Sequence, residues 1–186
     1  MINGTKILFI GPMGAGKTTA ITCISDDPPI KTEASNSARH ISDKQTTTVA
    51  MDFGRIYMDQ FNAIDLYGIP GQEHFDFLWP ILEKGALGAI FLLNCDTTDQ
   101  IIQNSLEKFC NDFSRLRDNS AIVIALNRAN ENAVSLCHNW LRENDIVLPV
   151  LMADPRNRDD IIMTLELLIA TAEVDLLPEG EIHDAG

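Results

Sequence analysis

Within nine residues, Gly11-Pro12-Met13-Gly14-Ala15-Gly16-Lys17-Thr18-Thr19 gathers three glycines, a lysine and two hydroxyls directly after the apolar run Ile7-Leu8-Phe9-Ile10. The spacing fits G-x-x-x-x-G-K-[ST], the loop that cradles nucleotide phosphates. Gly11, Gly14 and Gly16 accept positive φ and close approach, so the backbone N–H groups of the loop, including those of Met13, Ala15 and Thr19, can turn inward as an anion nest. The N-terminus of the helix that follows adds a partial positive charge. Lys17 would reach the β- and γ-phosphates, and the Thr18 hydroxyl would bind Mg²⁺. A glycine-rich turn with a chance lysine explains the loop less well, because strand, spacing, Lys and Thr are all present.

The rest of the chain must hold that loop in place. Its 186 residues suffice for one self-contained core. The formal net charge of −13 disfavours nucleic acid or an anionic membrane as a main partner. It also means that local groups must hold phosphates against an unfavourable long-range field. Cys23, Cys95, Cys110 and Cys137 show no C-x-x-C spacing and no nearby His at ligand spacing, so reduced buried thiols and a cytoplasmic location are expected. His40, His74, His138 and His183 form no ligand set either. No apolar run approaches the length of an integral membrane segment.

Short apolar runs alternate with helical patterns, which predicts an α/β sheet covered on both faces. Strands are expected at Thr5–Ile10, Val49–Tyr57, Phe61–Tyr67, Leu87–Asn94, Ala121–Leu126 and Ile146–Leu151. The short link Met58-Asp59-Gln60 makes the second and third an antiparallel hairpin, so the sheet is six-stranded and mostly parallel with one antiparallel edge strand. Helices are expected after Thr18, near Trp79–Leu82, over Ile101–Leu116, Ala133–Leu141 and Asp159–Val174. Residues 31–47 are polar, Ser/Thr-rich and aperiodic, and predict a long functional loop. The domain is expected to span 1–177, with 178–186 an acidic flexible tail.

Behind the P-loop, Thr46-Thr47-Thr48-Val49-Ala50-Met51-Asp52-Phe53-Gly54, Pro70-Gly71-Gln72-Glu73 and Asp154-Pro155-Arg156 follow in order. Over nearly the whole chain this set resembles the Ras-like small GTPases. Within them it is most similar to the bacterial branch of cell-polarity GTPases and signal-recognition-particle-receptor-β-like ATP/GTP-binding proteins. The resemblance implies a Ras-like P-loop fold and a cytoplasmic GTP-binding switch in bacterial signalling or polarity, hydrolysing GTP to GDP with Mg²⁺. It makes Thr48 a second metal ligand that senses the γ-phosphate. It makes the Gly71 amide a γ-phosphate donor and Gln72, with Lys17, catalytic, since phosphoryl transfer depends on positioning and charge stabilisation. It also implies a roadblock-type regulator over the switches, against Phe75, Phe77, Leu78 and Trp79.

Departures from the pattern shape the expectation. The usual D-x-x-G acid would stand at position 68, which is Gly68, and Asp65 lies about 10 Å further back along a strand. Mg²⁺ would then rest on Thr18, Thr48, phosphate oxygens and water. Met13 crowds Gln72 and predicts slow hydrolysis; Arg39 or Arg55 could supply a finger in cis or simply lie solvated. Asn127-Arg128-Ala129-Asn130 stands where the family carries N/T-K-x-D. Asn127 can bond the base and the Arg128 stem can cover its face. Asn130 offers one acceptor and one NH₂, which suits adenine or xanthine better than guanine. The Ala153 amide is expected to make the last base contact. The alternative to a hydrolysing switch is a non-hydrolysing nucleotide-binding scaffold with relaxed base specificity.

Overall fold

The computed structural model describes residues 3–28, 30–34, 49–69 and 79–175. Seven strands form one sheet in the order β2-β3-β4-β1-β5-β6-β7. They are β1 (Asn3–Ile10), β2 (Ile30–Ala34), β3 (Val49–Tyr57), β4 (Asn62–Gly68), β5 (Ala86–Asn94), β6 (Ala121–Asn127) and β7 (Val150–Met152). Around them lie α1 (Lys17–Ile24), α2 (Trp79–Glu83), α3 (Asp99–Asp112), α4 (Ser114–Asn119), α5 (Glu131–Glu143) and α6 (Arg158–Asp175). The expected α/β architecture is present, mostly parallel and with helices around the sheet. β3 is antiparallel to both β2 and β4, and the remaining neighbours pair in parallel.

Two elements differ from the sequence expectation. The polar stretch after residue 29 is not all loop, because Ile30–Ala34 pairs with Phe53–Val49 and adds a seventh strand at the sheet margin. β3 is therefore an inner strand rather than the edge. The last strand is shorter than expected and begins at Val150. Pro149 has no N–H to donate, and only its carbonyl joins the sheet, accepting from Ile124 N at 2.9 Å.

The central strands are apolar on both sides because both sides are covered. Ile7, Phe9, Ile90, Leu92, Val123 and Ala125 face a cluster closed by Ala20, Ile21 and Ile24 of α1 and by Ile161, Leu165 and Leu168 of α6. Leu8, Ile10, Phe91, Leu93, Ile122 and Ile124 face the opposite cluster, closed by Ile102, Leu106 and Phe109 of α3 and Cys137 and Leu141 of α5. The apolar stripe expected over residues 101–116 is present but breaks at Phe113, dividing α3 from α4. Phe91 stacks on Phe109 with centroids 4.0 Å apart, and Phe109 on Phe113.

This layering fixes where chemistry can occur. The carboxyl ends of β1, β4, β5 and β6 come level, with Phe9 opposite Gly68 and Asn94 opposite Asn127. Antiparallel β3 brings its beginning, not its end, to the same margin, so Asp52 lies opposite Gly68. Further along the hairpin, Arg55 and Asp65 are direct cross-strand partners in a forked ion pair of 2.6 and 3.0 Å. Arg55 is thus committed to the sheet surface, which removes it as a cis arginine finger. Arg39 lies outside the described residues, as does the tail 178–186.

Candidate nucleotide-phosphate site

Between β1 and α1 the chain makes a closed loop whose glycines are demanded by geometry. At Gly11 φ is +149°, and a Cβ there would stand 2.1 Å from the backbone oxygen of Leu92 on the neighbouring strand. At Gly16, the N-cap of α1, φ is +110°, and a Cβ would meet Pro155 Cγ at 2.6 Å. The loop is therefore wedged between β5 and the segment leading into α6. Ala15 is buried beneath it, while Met13 stands out with 75% of its surface exposed.

Lys17 opens α1 and folds back over the loop. Its Nζ donates to Gly11 O at 2.7 Å and to Pro12 O at 2.9 Å. Burial pushes its pKa down to about 8, against the opposing pull of Asp52. A cation desolvated in this way, held only by neutral carbonyls, is poised for a stronger anionic partner. Thr18, the next residue, turns the other way and donates from Oγ1 to Asp52 Oδ2 at 2.5 Å. Lysine, helix N-terminus, hydroxyl and carboxylate thus converge at the carboxyl end of β1.

The expected base-side residues are brought to the same margin, but their bonding differs from the expectation in two respects. Asn127 is buried at the end of β6 and donates from Nδ2 to Ala15 O at 3.1 Å, tying this loop to the P-loop. Arg128 follows with φ +54°, its guanidinium 3.7 Å from Asp96 and largely exposed. Asn130 is the N-cap of α5, and its Oδ1 accepts from Ala133 N at 3.0 Å. One of its acceptor lone pairs therefore serves the helix. The Ala153 amide does not face the margin; it donates to Leu126 O at 3.0 Å within the sheet. That bond engages the amide for which a base contact is expected, one residue past the end of β7. Next to it, the Arg156 guanidinium holds the Asp154 carboxyl well below the usual range, at about 2.

Thr48, Gly71 and Gln72, together with Phe75, Phe77 and Leu78, lie outside the described residues, and of Trp79 only the backbone is described. The cysteines play no part in the site. Burial pushes the Cys95 thiol up to about 11 and Cys137 to about 12, so both stay protonated and unreactive. Among the described residues no group of three or more His, Cys, Asp and Glu could hold a metal ion by itself. No described helix is long and apolar enough to cross a membrane.

Asp52 is the site residue that sequence reasoning missed. The signal was available in the hairpin: once Tyr57 is paired with Ala63, Asp52 falls opposite Gly68.

Residues 27–134 match the family described as conserved hypothetical ATP binding protein. The match covers more than half of the chain, which belongs to that family. The finding corrects the expected membership of the Ras-like small GTPases, whose ordered motifs the sequence resembles without being placed among them. The matched region begins after the P-loop and runs from β2 to the start of α5, so family and loop geometry bear on nucleotide binding independently. No curated protein matches the chain.

A disturbance at the junction of the two loops is expected to be felt in both. Asn127→Ala removes the bond to Ala15 O and leaves that carbonyl without its buried donor, at a cost of about 1–3 kcal/mol. Chemical denaturation should show that loss, and nucleotide affinity should fall with it because the P-loop is no longer anchored.

Proposed function

We propose that this protein binds a Mg²⁺–nucleoside triphosphate at Gly11–Thr19 and hydrolyses the terminal phosphate slowly. The observation that carries the reading is the P-loop itself. Lys17 is desolvated and held on the carbonyls of Gly11 and Pro12, at the N-terminus of a helix whose first-turn N–H groups need partners. Phosphate oxygens replace those carbonyls as Lys17 acceptors and regain the charge-assisted bonds that the free loop lacks. The oxygen donors beside the loop, a threonine hydroxyl and a carboxylate, are of the kind Mg²⁺ takes. Thr18 and the phosphates themselves would hold such an ion, which would supply charge neutralisation for phosphoryl transfer.

For hydrolysis we retain Gln72 as the residue that orients the attacking water, with the Gly71 amide and Thr48 hydroxyl completing the γ-phosphate contacts. Met13, projecting from the loop, keeps an approaching arginine away and the rate low. The base is read less stringently than guanine recognition requires. Guanine presents two donors, N1–H and the 2-amino group, whereas Asn130 has one oxygen already accepting from Ala133 N and a free NH₂. ATP is therefore expected to bind at least as well as GTP, in keeping with the family's description. Asn127 and Arg128 frame the base.

Phosphate release in Mg²⁺ tests the enzymatic part. We expect turnover slower than the ordinary enzyme range of about 1 s⁻¹ and above, abolished by Gln72→Ala without loss of binding. Binding without release from the intact protein would leave the non-hydrolysing scaffold.

The low pKa of Lys17 has a further consequence. In the free protein Lys17 gives up its proton near pH 8, while an unfolded chain keeps it to about 10.5. Between those values the unfolded state binds more protons, so stability of the nucleotide-free protein rises with pH. Phosphates restore the charge, so binding takes up a proton above pH 8. Affinity should then fall by up to about tenfold per pH unit, with proton uptake visible by calorimetry in two buffers of different ionisation enthalpy.

A further inference from the structure

The sequence lacks an acid at position 68, and the structure shows another carboxylate standing there. We propose that Asp52, delivered by antiparallel β3, is the carboxylate of the metal site and that Gly68 is a glycine in order to admit it; the inference rests on the Mg²⁺–nucleotide reading above.

Three observations support this. Asp52 Oδ2 accepts from Thr18 Oγ1, the hydroxyl that the P-loop turns toward a metal. Asp52 is opposite Gly68 in the β3–β4 ladder. A Cβ on Gly68 would lie 3.0 Å from Asp52 Cβ, 3.2 Å from Asp52 Oδ2 and 3.1 Å from Ile21 Cδ1. The side chain missing from β4 and the one supplied by β3 therefore compete for one volume. A side chain on β4 would make Asp52 or Ile21 give way, and here β3 fills the space. The strand's direction makes this possible: running against β1 and β4, it reaches their carboxyl ends with its early residues.

One carboxylate and one hydroxyl are a sufficient protein contribution to a Mg²⁺ that keeps several waters and takes the rest of its shell from phosphate. In the free protein the same carboxylate holds the Thr18 hydroxyl and attracts Lys17. Asp52 thus stabilises the empty loop and, when metal arrives, exchanges a hydroxyl partner for a cation.

The test separates charge from hydrogen bonding. Asp52→Asn keeps an oxygen that can accept from Thr18 but removes the negative charge. Titration of a fluorescent ATP analogue with and without Mg²⁺ reads the metal's contribution, and the broadening of the Mn²⁺ resonance by bound nucleotide complex reads the ion directly. For Asp52→Asn we expect metal affinity in the nucleotide complex to fall by roughly 10- to 100-fold. Its metal-free affinity for nucleotide should rise, because a like charge no longer faces the phosphates. The double variant Asp52→Gly with Gly68→Asp moves the carboxylate to the other strand and should recover metal dependence. A wild-type metal dependence in Asp52→Asn would overturn the proposal and leave nucleotide binding standing. Absence of nucleotide binding by the unaltered protein, with or without metal, would overturn both.

Discussion

Replacing Lys17 with alanine lowers nucleotide affinity by roughly a hundredfold or more while leaving the fold at least as stable. The expected loss follows from two charge-assisted bonds to phosphate at about 1.5–3 kcal/mol each, less what the displaced loop carbonyls already gave. A net of about 3 kcal/mol is slightly over two decades of affinity. The stability half has the opposite sign from most core truncations. Lys17 is a desolvated ammonium whose pKa is pushed down to about 8, so keeping it charged at neutral pH costs the free protein stability. Removing it relieves that cost and forfeits only the bonds to Gly11 O and Pro12 O. Lys17→Ala should therefore melt no lower than the unaltered protein in the absence of ligand and should lose much of the upward shift that nucleotide confers. Thermal melts with and without Mg²⁺–ATP read both, the second as a smaller shift at the same nucleotide concentration. A stabilisation by nucleotide as large in the variant as in the unaltered protein would remove Lys17 from the site.

Gly11→Ala is expected to be the most destabilising single methyl in the P-loop. Its Cβ would be placed 2.1 Å from Leu92 O, a backbone atom of a central strand that cannot turn aside, at a φ of +149°. Either β1 and β5 separate or the loop refolds. Overpacking against backbone together with strain at positive φ should cost at least about 3 kcal/mol. For a chain of this length that corresponds to roughly 6–12 °C in Tm. Gly14→Ala is the internal control. Its φ of +78° is as unusual, yet nothing lies within 4 Å of its Cβ, so only the backbone term of about 1–2 kcal/mol remains. If the two variants melt together, the loop is less tightly wedged against β5 than the structure holds.

How far the sequence alone could lead is clearest from particular residues. The P-loop was legible because its requirements are local: positive φ, a helix start and a lysine all fall within nine residues. The central strands were legible because burial on both faces leaves continuous apolar runs. β2 was not, since Lys31, Thr32 and Glu33 give it the composition of a loop, as marginal strands often have. Asp52 was not legible because its place beside Thr18 and opposite Gly68 is set by strand pairing and not by any short motif. Asn130 shows a local rule at work beside a family analogy. An Asn directly before Glu131 and an apolar-periodic run is an N-cap by composition, and the structure uses its oxygen in that way. The bond from the Ala153 amide to Leu126 O lay beyond sequence reasoning, because it depends on where β7 ends beside β6. The likeness to small GTPases had the same origin, since a P-loop followed by turn-forming Pro-Gly-Gln is short-range information, and family membership was settled by the longer stretch 27–134.

The central claim is that Gly11–Thr19 forms a working phosphate site, and equilibrium titration of the nucleotide-free protein with ATP and GTP in Mg²⁺ tests it most directly. The account predicts one saturable site of micromolar or tighter affinity, ATP no weaker than GTP, and loss of both on Lys17→Ala. Failure of the folded, unaltered protein to bind either nucleotide would contradict it.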